Sequence, residues 1–253
     1  MKSVIQTLRV LDAVSELQPI GLTRLAQTMD IPKSTVQRIL KTLEAAGWVH
    51  QRPSSGNGQW ALSAKPLVFA QRVGKDSYLR EAALPVMRHL RDQCNEDVHL
   101  AMPLDGEIVI VEKVDSSHAV RIHWPPGQHT STHASANGKA ILAFAVGPLR
   151  ERYYPRNFEP LTERTITSAE QFEAELALVR KQGYATAHGE TRPDIASFAA
   201  PILNSQGEPI ASISAFLPMY RLPKDISLLG KQVVEAAAEV SRSIQSEHSR
   251  IEG

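Results

Sequence analysis

The sequence predicts an α+β protein of two domains: an N-terminal, all-α winged helix-turn-helix with a β-hairpin wing, and a C-terminal α+β domain with an antiparallel sheet. Three observations predict this architecture. Apolar residues recur at helical spacing up to about residue 46, two short strand-like runs follow at once, and beyond residue 95 alternating strands are interleaved with helices. A chain of 253 residues is long enough for two such domains.

The composition is that of a folded globular protein, with 42% hydrophobic and 22% charged residues. The single cysteine, Cys94, excludes an intrachain disulfide and a cysteine-based zinc site. The longest apolar run, residues 140–146, is far shorter than the roughly 20 residues that a bilayer crossing needs. We therefore expect a cytoplasmic protein with no membrane partner.

Positive charge is concentrated near the N-terminus, although the net charge is only +1. Residues 1–65 hold eight Lys and Arg against four Asp and Glu, whereas residues 66–253 hold 20 against 23. A basic first quarter is typical of a nucleic-acid-binding module attached to a neutral or acidic second domain.

Three helices are predicted in the N-terminal domain, over residues 4–17, 22–29 and 33–46. The first has an apolar stripe of Val4, Leu8, Leu11 and Val14, which we expect to face the core. In the third, Pro32 stands at the start and Gly47 just past the end, as helix signals require. Two short helices at a tight turn on a three-helix core indicate a helix-turn-helix.

The face of the third helix opposite its apolar stripe contains no acidic residue, and each of its side chains can donate a hydrogen bond. Such a face suits phosphates and base edges in the major groove of DNA. Strand-like runs at 48–52 and 59–63 flank an Asn57-Gly58 turn and predict a wing, whose rim residue could reach phosphate or the minor groove. The predicted DNA-binding residues are Lys33, Ser34, Thr35, Gln37, Arg38, Lys41 and Arg52. A winged helix used only for protein contacts is the alternative.

The rest of the chain predicts a linker helix followed by a sheet-and-helix domain. We assign residues 1–65 to the DNA-binding domain, 66–78 to the linker helix and 79–253 to an effector-binding, oligomerising domain. Predicted helices cover 66–73, 78–94, 135–146, 168–182 and 224–247, and predicted strands cover 98–102, 108–111, 120–124, 195–203 and 208–217. The apolar stripe of the last helix could pack on the sheet or on another subunit.

Three separated blocks carry a family resemblance. They read IPKSTVQRIL at 31–40, HASANGKAILA at 133–143 and SFAAP at 197–201, the last preceded by Gly183-Tyr184-Ala185. With these blocks in this order, the chain resembles the IclR family of bacterial transcription regulators over essentially its whole length. The resemblance implies a GAF-like C-terminal domain that binds a small organic or aromatic acid, and a dimer or dimer of dimers on operator DNA. Repressors and activators share these motifs, many control catabolic operons, and RNA polymerase is a further candidate partner.

The resemblance also implies where the effector binds, between the helix opened by the His-Ala-Ser motif and the facing strands. The matching positions are Ser135, Ala136, Asn137, Ser197, Ser214 and Phe216, where bulky Phe216 implies a smaller, flatter or more apolar ligand contact. From the residues themselves we add His133, and Arg121 with His123, which would share one face of the predicted strand 120–124 and clamp an anion. A solvated strand face is an equal alternative for that pair.

Other chemistry is weakly supported. His118, His123, His129 and His133 lie within 16 residues, but without a carboxylate or cysteine at supporting spacing we expect loop and strand histidines rather than a metal site. Gly138-Lys139 lacks the upstream glycine of a phosphate-binding loop, so no cofactor is expected. We place Lys139 on the helix surface and Gly138 against a strand.

Three functions remain open from the residues alone. The leading hypothesis is a ligand-responsive transcription regulator, not an enzyme. An enzyme with an appended winged helix would need a convergent acid, base or nucleophile, and none can be assembled. A DNA-binding protein whose second domain only oligomerises is the third.

Overall fold

The computed structural model describes residues 2–52, 58–69 and 78–251. The chain divides into two compact units, residues 1–77 and 78–253. We describe each unit separately.

The described part of the N-terminal unit contains three helices, a small three-stranded sheet and a helical segment at 65–69. Its elements are α1 (Lys2–Leu17), β1 (Ile20–Gly21), α2 (Leu22–Met29), α3 (Lys33–Ala45), β2 (Val49–Arg52) and β3 (Gln59–Leu62). β3 lies between β1 and β2 and pairs antiparallel with both, with Arg52 opposite Gln59 at the open end of the hairpin. The two predicted wing strands are thus confirmed, and β1 was not predicted. The turn at 53–57, with Asn57, lies outside the described residues.

Gly47 ends α3 as predicted. Its φ of +77° places it in the left-handed region. Its N–H donates to the carbonyl of Glu44, and the N–H of Trp48 donates to the carbonyl of Leu43 at 2.8 Å. These two bonds form a Schellman motif, which turns the chain from α3 directly into the wing.

The predicted apolar stripe of α1 is wrong in its first half. Val14 is buried, but Val4 and Leu8 are 63% and 54% exposed, and Val10 is buried instead. The core formed with α2, α3 and the sheet reaches only the second half of the helix, so the earlier apolar residues lie beyond it. Residues 65–69 are helical; the remainder of the predicted linker helix, 70–77, lies outside the described residues.

The C-terminal unit is a six-stranded antiparallel sheet with helices on both faces. Its helices are α4 (Tyr78–Cys94), α5 (Ala136–Phe144), α6 (Gly147–Tyr153), α7 (Ala169–Gln182) and α8 (Ile226–Ile251). Its strands are β4 (Asp97–Leu104), β5 (Glu107–Val114), β6 (His129–Thr130), β7 (Ala185–His188), β8 (Ile195–Leu203) and β9 (Pro209–Pro218). The strand order is β6-β5-β4-β9-β8-β7. The predicted α+β fold class is confirmed.

Alternation along the strands gives the sheet two different faces. One face is apolar: Val98, Phe198 and Ile213 pack against α4 and α8. The last helix therefore packs its stripe on the sheet, which is the first of the two alternatives left open by the sequence. The opposite face lies under α5 and α7 and includes polar residues of β4, β8 and β9.

One predicted strand is wrong. Residues 120–124 have no strand structure, and Val120 is 69% exposed, so the alternation there does not reflect a buried face. The segment instead belongs to the connection between β5 and β6. Conversely, β6, α6 and β7 were not predicted.

Candidate DNA-binding and effector-binding sites

The polar face of α3 is exposed as the sequence predicts. Val36, Ile39, Leu40 and Leu43 are buried in the core of the unit. The opposite face therefore points outward, and its exposed residues are Lys33, Ser34, Gln37, Arg38 and Lys41, with Thr35 half-buried. Arg52 is exposed at the end of β2. These seven side chains form the α3–wing surface.

A groove runs beside α3 and brings a further cation to this surface. Its lining includes Lys33, Gln37 and Lys41 of α3, together with Trp60 of β3 and Arg24 of α2. The Lys41 ammonium lies 5.4 Å from the centre of the Trp60 ring and 2.7 Å from Glu44 Oε2. Sequence reasoning missed Arg24, although its place in the first turn of α2, the helix before the turn, was a usable signal.

In the C-terminal unit, α5 begins at a side-chain cap. The Ser135 hydroxyl accepts the N–H of Gly138 at 3.0 Å and donates to the carbonyl of Ser131 at 2.6 Å. Its hydrogen bonds are therefore used by the helix start. His133, just before it, lies between the Ser131 hydroxyl and the carbonyl of Glu159, each at 3.1 Å.

Gly138 allows a close backbone approach, but not the one expected. A Cβ at this position would lie 2.3 Å from the carbonyl oxygen of Thr132. The glycine thus packs against the loop that precedes α5 and not against a strand. This loop contact fixes the position of the first turn of the helix.

Asn137 joins α5 to the sheet. Its Oδ1 accepts a hydrogen bond of 2.9 Å from the hydroxyl of Ser212 on β9, and both residues are buried. Ser212 was not among the predicted site residues. Its two-residue spacing from Ser214 places both hydroxyls on the same face of β9.

The polar sheet face continues from Ser212 to a buried histidine. Ser214 pairs in register with His99 of β4, and Phe216 pairs with Ser197 of β8. The His99 and Phe216 rings lie 4.9 Å apart, and Trp124 lies 5.5 Å from Phe216. We call the set Asn137, Ser212, Ser214, His99, Phe216 and Ser197 the effector face.

His99 is neutral at physiological pH. Burial, with a smaller contribution from Lys113, lowers its pKa to about 3. Its Nε2 and the Ser214 hydroxyl are buried, and neither has a hydrogen-bond partner among the described residues. Sequence reasoning missed His99, yet its place between Val98 and Leu100 in an alternating strand already put it on the face opposite the apolar core.

Arg121 and His123 are not brought into this face. With no strand at 120–124, the premise that they share a strand face is wrong. Arg121 Nη1 lies 3.4 Å from Asp115 Oδ2, and both Arg121 and His123 are exposed. Their role in anion binding stays a prediction without that support.

Lys139 is buried, in contrast to the predicted position on the helix surface. Its ammonium lies 2.7 Å from Glu190 Oε1, 3.2 Å from Glu175 Oε1 and 3.0 Å from the carbonyl of Thr186. Burial raises the pKa of the Glu190 carboxyl, against the opposing effect of Lys139. The lysine therefore lies inside the domain, where two carboxylates and a carbonyl surround its charge.

The four clustered histidines have separate surroundings. His118 lies 3.7 Å from Glu96, His129 contacts Glu107, and His133 is held as described above. Within the described ranges, no three His, Cys, Asp or Glu side chains are grouped to hold a metal ion. No helix in those ranges is long and apolar enough to span a membrane.

These features define a class: a DNA-binding transcription regulator with a winged helix and a separate α+β domain. Family comparison agrees. The IclR helix-turn-helix domain matches residues 3–53, and the bacterial transcriptional regulator IclR C-terminal domain matches residues 71–242. The chain belongs to the IclR family. Its relatives are regulators by name, which sets aside the hypothesis of an enzyme.

Individual relatives are similar over most of their length. The transcriptional repressor IclR of Escherichia coli is 29% identical over 246 residues, covering 95% of this chain and 89% of the relative. The regulator KdgR of Dickeya chrysanthemi is 30% identical, and the match covers 89% of this chain and 73% of the relative.

Solved structures show the same fold. A transcriptional regulator from Alicyclobacillus acidocaldarius superimposes with a TM-score of 0.85 at 25% identity, covering 96% of this chain and 98% of that one. An IclR homolog from Microbacterium hydrocarbonoxydans, complexed with 4-hydroxybenzoate, superimposes with a TM-score of 0.81 at 23% identity, with the same coverage of both chains.

Proposed function

We propose that this regulator binds operator DNA through the α3–wing surface and changes its DNA affinity when a small organic acid binds at the effector face. Residues 1–65 act as the DNA-binding domain, 66–78 as the linker and 79–253 as the effector-binding, oligomerising domain. The observation that carries the proposal is the buried polar sheet face beneath α5, in a chain whose family is one of DNA-binding regulators.

The chemistry of the α3–wing surface supports DNA binding. Gln37 and Arg38 project from the middle of α3, where long side chains reach base edges in the major groove. Lys33, Arg24 and Arg52 lie around them and suit phosphates, which bind cations without sequence preference. Ser34 and Thr35, in the first turn of α3, suit phosphate at a helix N-terminus.

The start of α5 supports an acidic effector. The first backbone N–H groups of a helix lack partners within the helix and favour negative charge. Here the Ser135 hydroxyl accepts the N–H of Gly138, and we assign the N–H groups of Ala136 and Asn137 to a carboxylate. Ser197, Ser212 and Ser214 lie on the sheet face that α5 covers, and their hydroxyls face this helix. A relative of this fold has been crystallised with 4-hydroxybenzoate, an acid of this class.

The exposed half of α1 supports self-association. Val4, Ile5 and Leu8 are each more than half exposed and lie together at helical spacing. A contiguous apolar patch on a helix marks an interaction surface. A second copy of the chain is the proposed partner, because two heads related by a two-fold axis match a palindromic operator.

Selection of bound fragments from genomic DNA, followed by footprinting at low and moderate salt, tests the DNA-binding part. Protection of a short palindromic site is expected. Protection of no site at low salt would contradict the assignment of the α3–wing surface and favour a winged helix used for protein contacts.

A further inference from the structure

α3, all of which the structure describes, contains one acidic side chain, Glu44. At spacings of three or four residues, Lys33, Gln37, Lys41 and Glu44 lie along one side of the helix, at the border between its polar face and the core. The first three of them line the groove beside α3. Glu44 thus borders a surface whose predicted DNA contacts are all hydrogen-bond donors. A carboxylate next to bound phosphates is unfavourable for DNA binding in general, so its position here needs a physical reason.

Glu44 holds the ammonium of Lys41. The Lys41 Nζ lies 2.7 Å from Glu44 Oε2 and 5.4 Å from the centre of the Trp60 ring. Trp60 belongs to β3 and is only 2% exposed, so its ring is a fixed part of the groove wall. An exposed lysine without such contacts samples many rotamers on its flexible stem. The carboxylate and the ring together therefore restrain a charge at the protein surface.

Stabilisation of α3 does not explain why Glu44 is there. The residue lies in the last turn of the helix, where the negative end of the helix dipole favours cations and disfavours a carboxylate. A lysine that precedes its glutamate is also the weaker order for a helical ion pair. An exposed pair of this kind adds little to the free energy of unfolding. The contact therefore points to the DNA-bound state, in which the Lys41 charge is used.

A restrained lysine recognises DNA differently from a free one. A free lysine neutralises whichever phosphate is nearest, in any register and on any sequence. The ammonium of Lys41 has three N–H donors, of which Glu44 takes one, so the others are directed from a fixed position. They reach an acceptor only when the register of the DNA brings one to them. That register is set by base contacts, which we assign to Gln37 and Arg38.

We infer that Glu44 determines the specificity of the α3–wing surface: by holding Lys41 beside Trp60, it withholds this cation from random DNA and keeps it as an oriented donor for the operator. Glu44 acts through Lys41, which makes it a positioning residue. The inference rests on the proposed function, because it requires α3 to enter the major groove.

Fluorescence anisotropy of the full-length protein on two labelled duplexes, the selected operator and a random sequence of equal length, tests this role. Glu44→Gln keeps the shape of the side chain and frees Lys41. The affinity for random DNA should rise roughly two- to fivefold, as expected for release of one exposed ion pair. The slope of log affinity against log salt on random DNA should become steeper by about 0.9, the amount for one added phosphate contact. The affinity for the operator should rise less or fall, so the ratio of operator to random affinity should drop about twofold or more.

Two further comparisons show whether the effect passes through the lysine. Glu16→Gln removes the same charge from an exposed position of α1 and is the matched control, which should leave the ratio unchanged. The double variant Lys41→Gln with Glu44→Gln is compared with Lys41→Gln alone. The ratio should be the same in these two proteins, because without Lys41 there is no charge for Glu44 to hold.

Three results would overturn the inference: an unchanged ratio in Glu44→Gln, an equal drop in Glu16→Gln, or a drop caused by Glu44→Gln that persists without Lys41. In the last two cases Glu44 acts only as a general negative charge near DNA. If the wild type binds neither duplex at low salt, the proposed DNA-binding function fails and this inference with it. Binding of the wild type with any of the three results above removes the inference alone.

Discussion

The ammonium of Lys139 lies 2.7 Å from Glu190 Oε1, at a position where the lysine side chain is only 1% exposed. The contact joins α5, which carries the proposed carboxylate site in its first turn, to the chain directly after β7. A buried charge depends on its partner, because removal of one member leaves the other uncompensated in a medium of low dielectric constant. The position of α5 over the effector face is therefore tied to this ion pair.

Replacement of Lys139 by Met should lower the free energy of unfolding by about 3–5 kcal/mol, because Glu190 would keep an unpaired buried carboxylate. Urea denaturation of the C-terminal unit, followed by circular dichroism, measures the loss. The double variant Lys139→Met with Glu190→Gln is the control and should recover much of it. If the double variant is as unstable as the single one, charge pairing is not the reason for the loss.

Recognition of operator DNA should depend on Arg38 and Arg24 in different ways. Arg38→Ala should weaken binding to the operator by roughly 1–3 kcal/mol and relax the sequence preference at one base pair, because its long side chain is placed to read a base edge. Arg24→Ala should weaken binding to operator and random DNA alike. It should also reduce the dependence of the affinity on salt concentration by about the amount that one phosphate contact contributes. Fluorescence anisotropy at several salt concentrations separates the two.

Arg9→Ala, which removes an exposed arginine of α1 outside the α3–wing surface, is the control for this pair. If Arg38→Ala loses the same affinity for operator and random DNA, Arg38 contacts a phosphate and does not read a base.

Much of the fold could be predicted from the sequence where the signals, such as helix caps, lie within a single element. α7 is an example: Ser168 caps its start by accepting the N–H of Gln171, and Gly183 ends it at a φ of 86°. Predicted and observed bounds there differ by one residue. The strand at 120–124 failed because alternation shows only that residues could face two sides, and no neighbouring strand pairs with that segment in the described structure.

The site was less predictable because it depends on long-range contacts. Lys139 and Glu190 are 51 residues apart, and nothing in the local sequence shows that α7 and β7 would cover the lysine. The Ser212 contact to Asn137 spans 75 residues. His99, by contrast, could have been assigned to the polar face of its strand from the alternation of residues. Its position beside Ser214 then follows from the pairing of β4 and β9.

Acidification should destabilise the C-terminal unit through His99. The folded-state pKa of about 3 is below the ordinary value of 6.5. The unfolded chain therefore takes up a proton as the pH falls below about 6.5, and the folded chain does not until about pH 3. Over that window stability should fall by up to about 1.4 kcal/mol per pH unit.

Denaturation of the wild type and of His99→Phe between pH 7 and pH 4 measures this contribution as the difference between the two slopes. Subtraction is needed because His188, whose pKa is lowered by burial and by Lys139, acts in the same direction. Parallel slopes for the two proteins would show that His99 is not buried as a neutral ring.

Self-association should depend on the exposed half of α1. Leu8→Glu places a charge in the apolar patch with Val4 and Ile5 and should shift sedimentation towards a smaller species, while the folded helix content stays the same. Ser15→Glu adds the same charge at an exposed position of the same helix and serves as the control. An unchanged sedimentation profile for Leu8→Glu would place the interface elsewhere.

In the proposed function, an acid bound in the C-terminal unit changes the affinity of the N-terminal unit for DNA. Footprinting of the selected operator by the purified protein, while a panel of small carboxylic acids is titrated, tests this coupling. At least one acid that binds by calorimetry should shift the protein concentration for half-protection by tenfold or more, and Asn137→Leu should remove the shift without loss of protection in the absence of acid. Protection that stays the same at saturating concentrations of every bound acid would rule out this coupling and favour a C-terminal domain that only oligomerises.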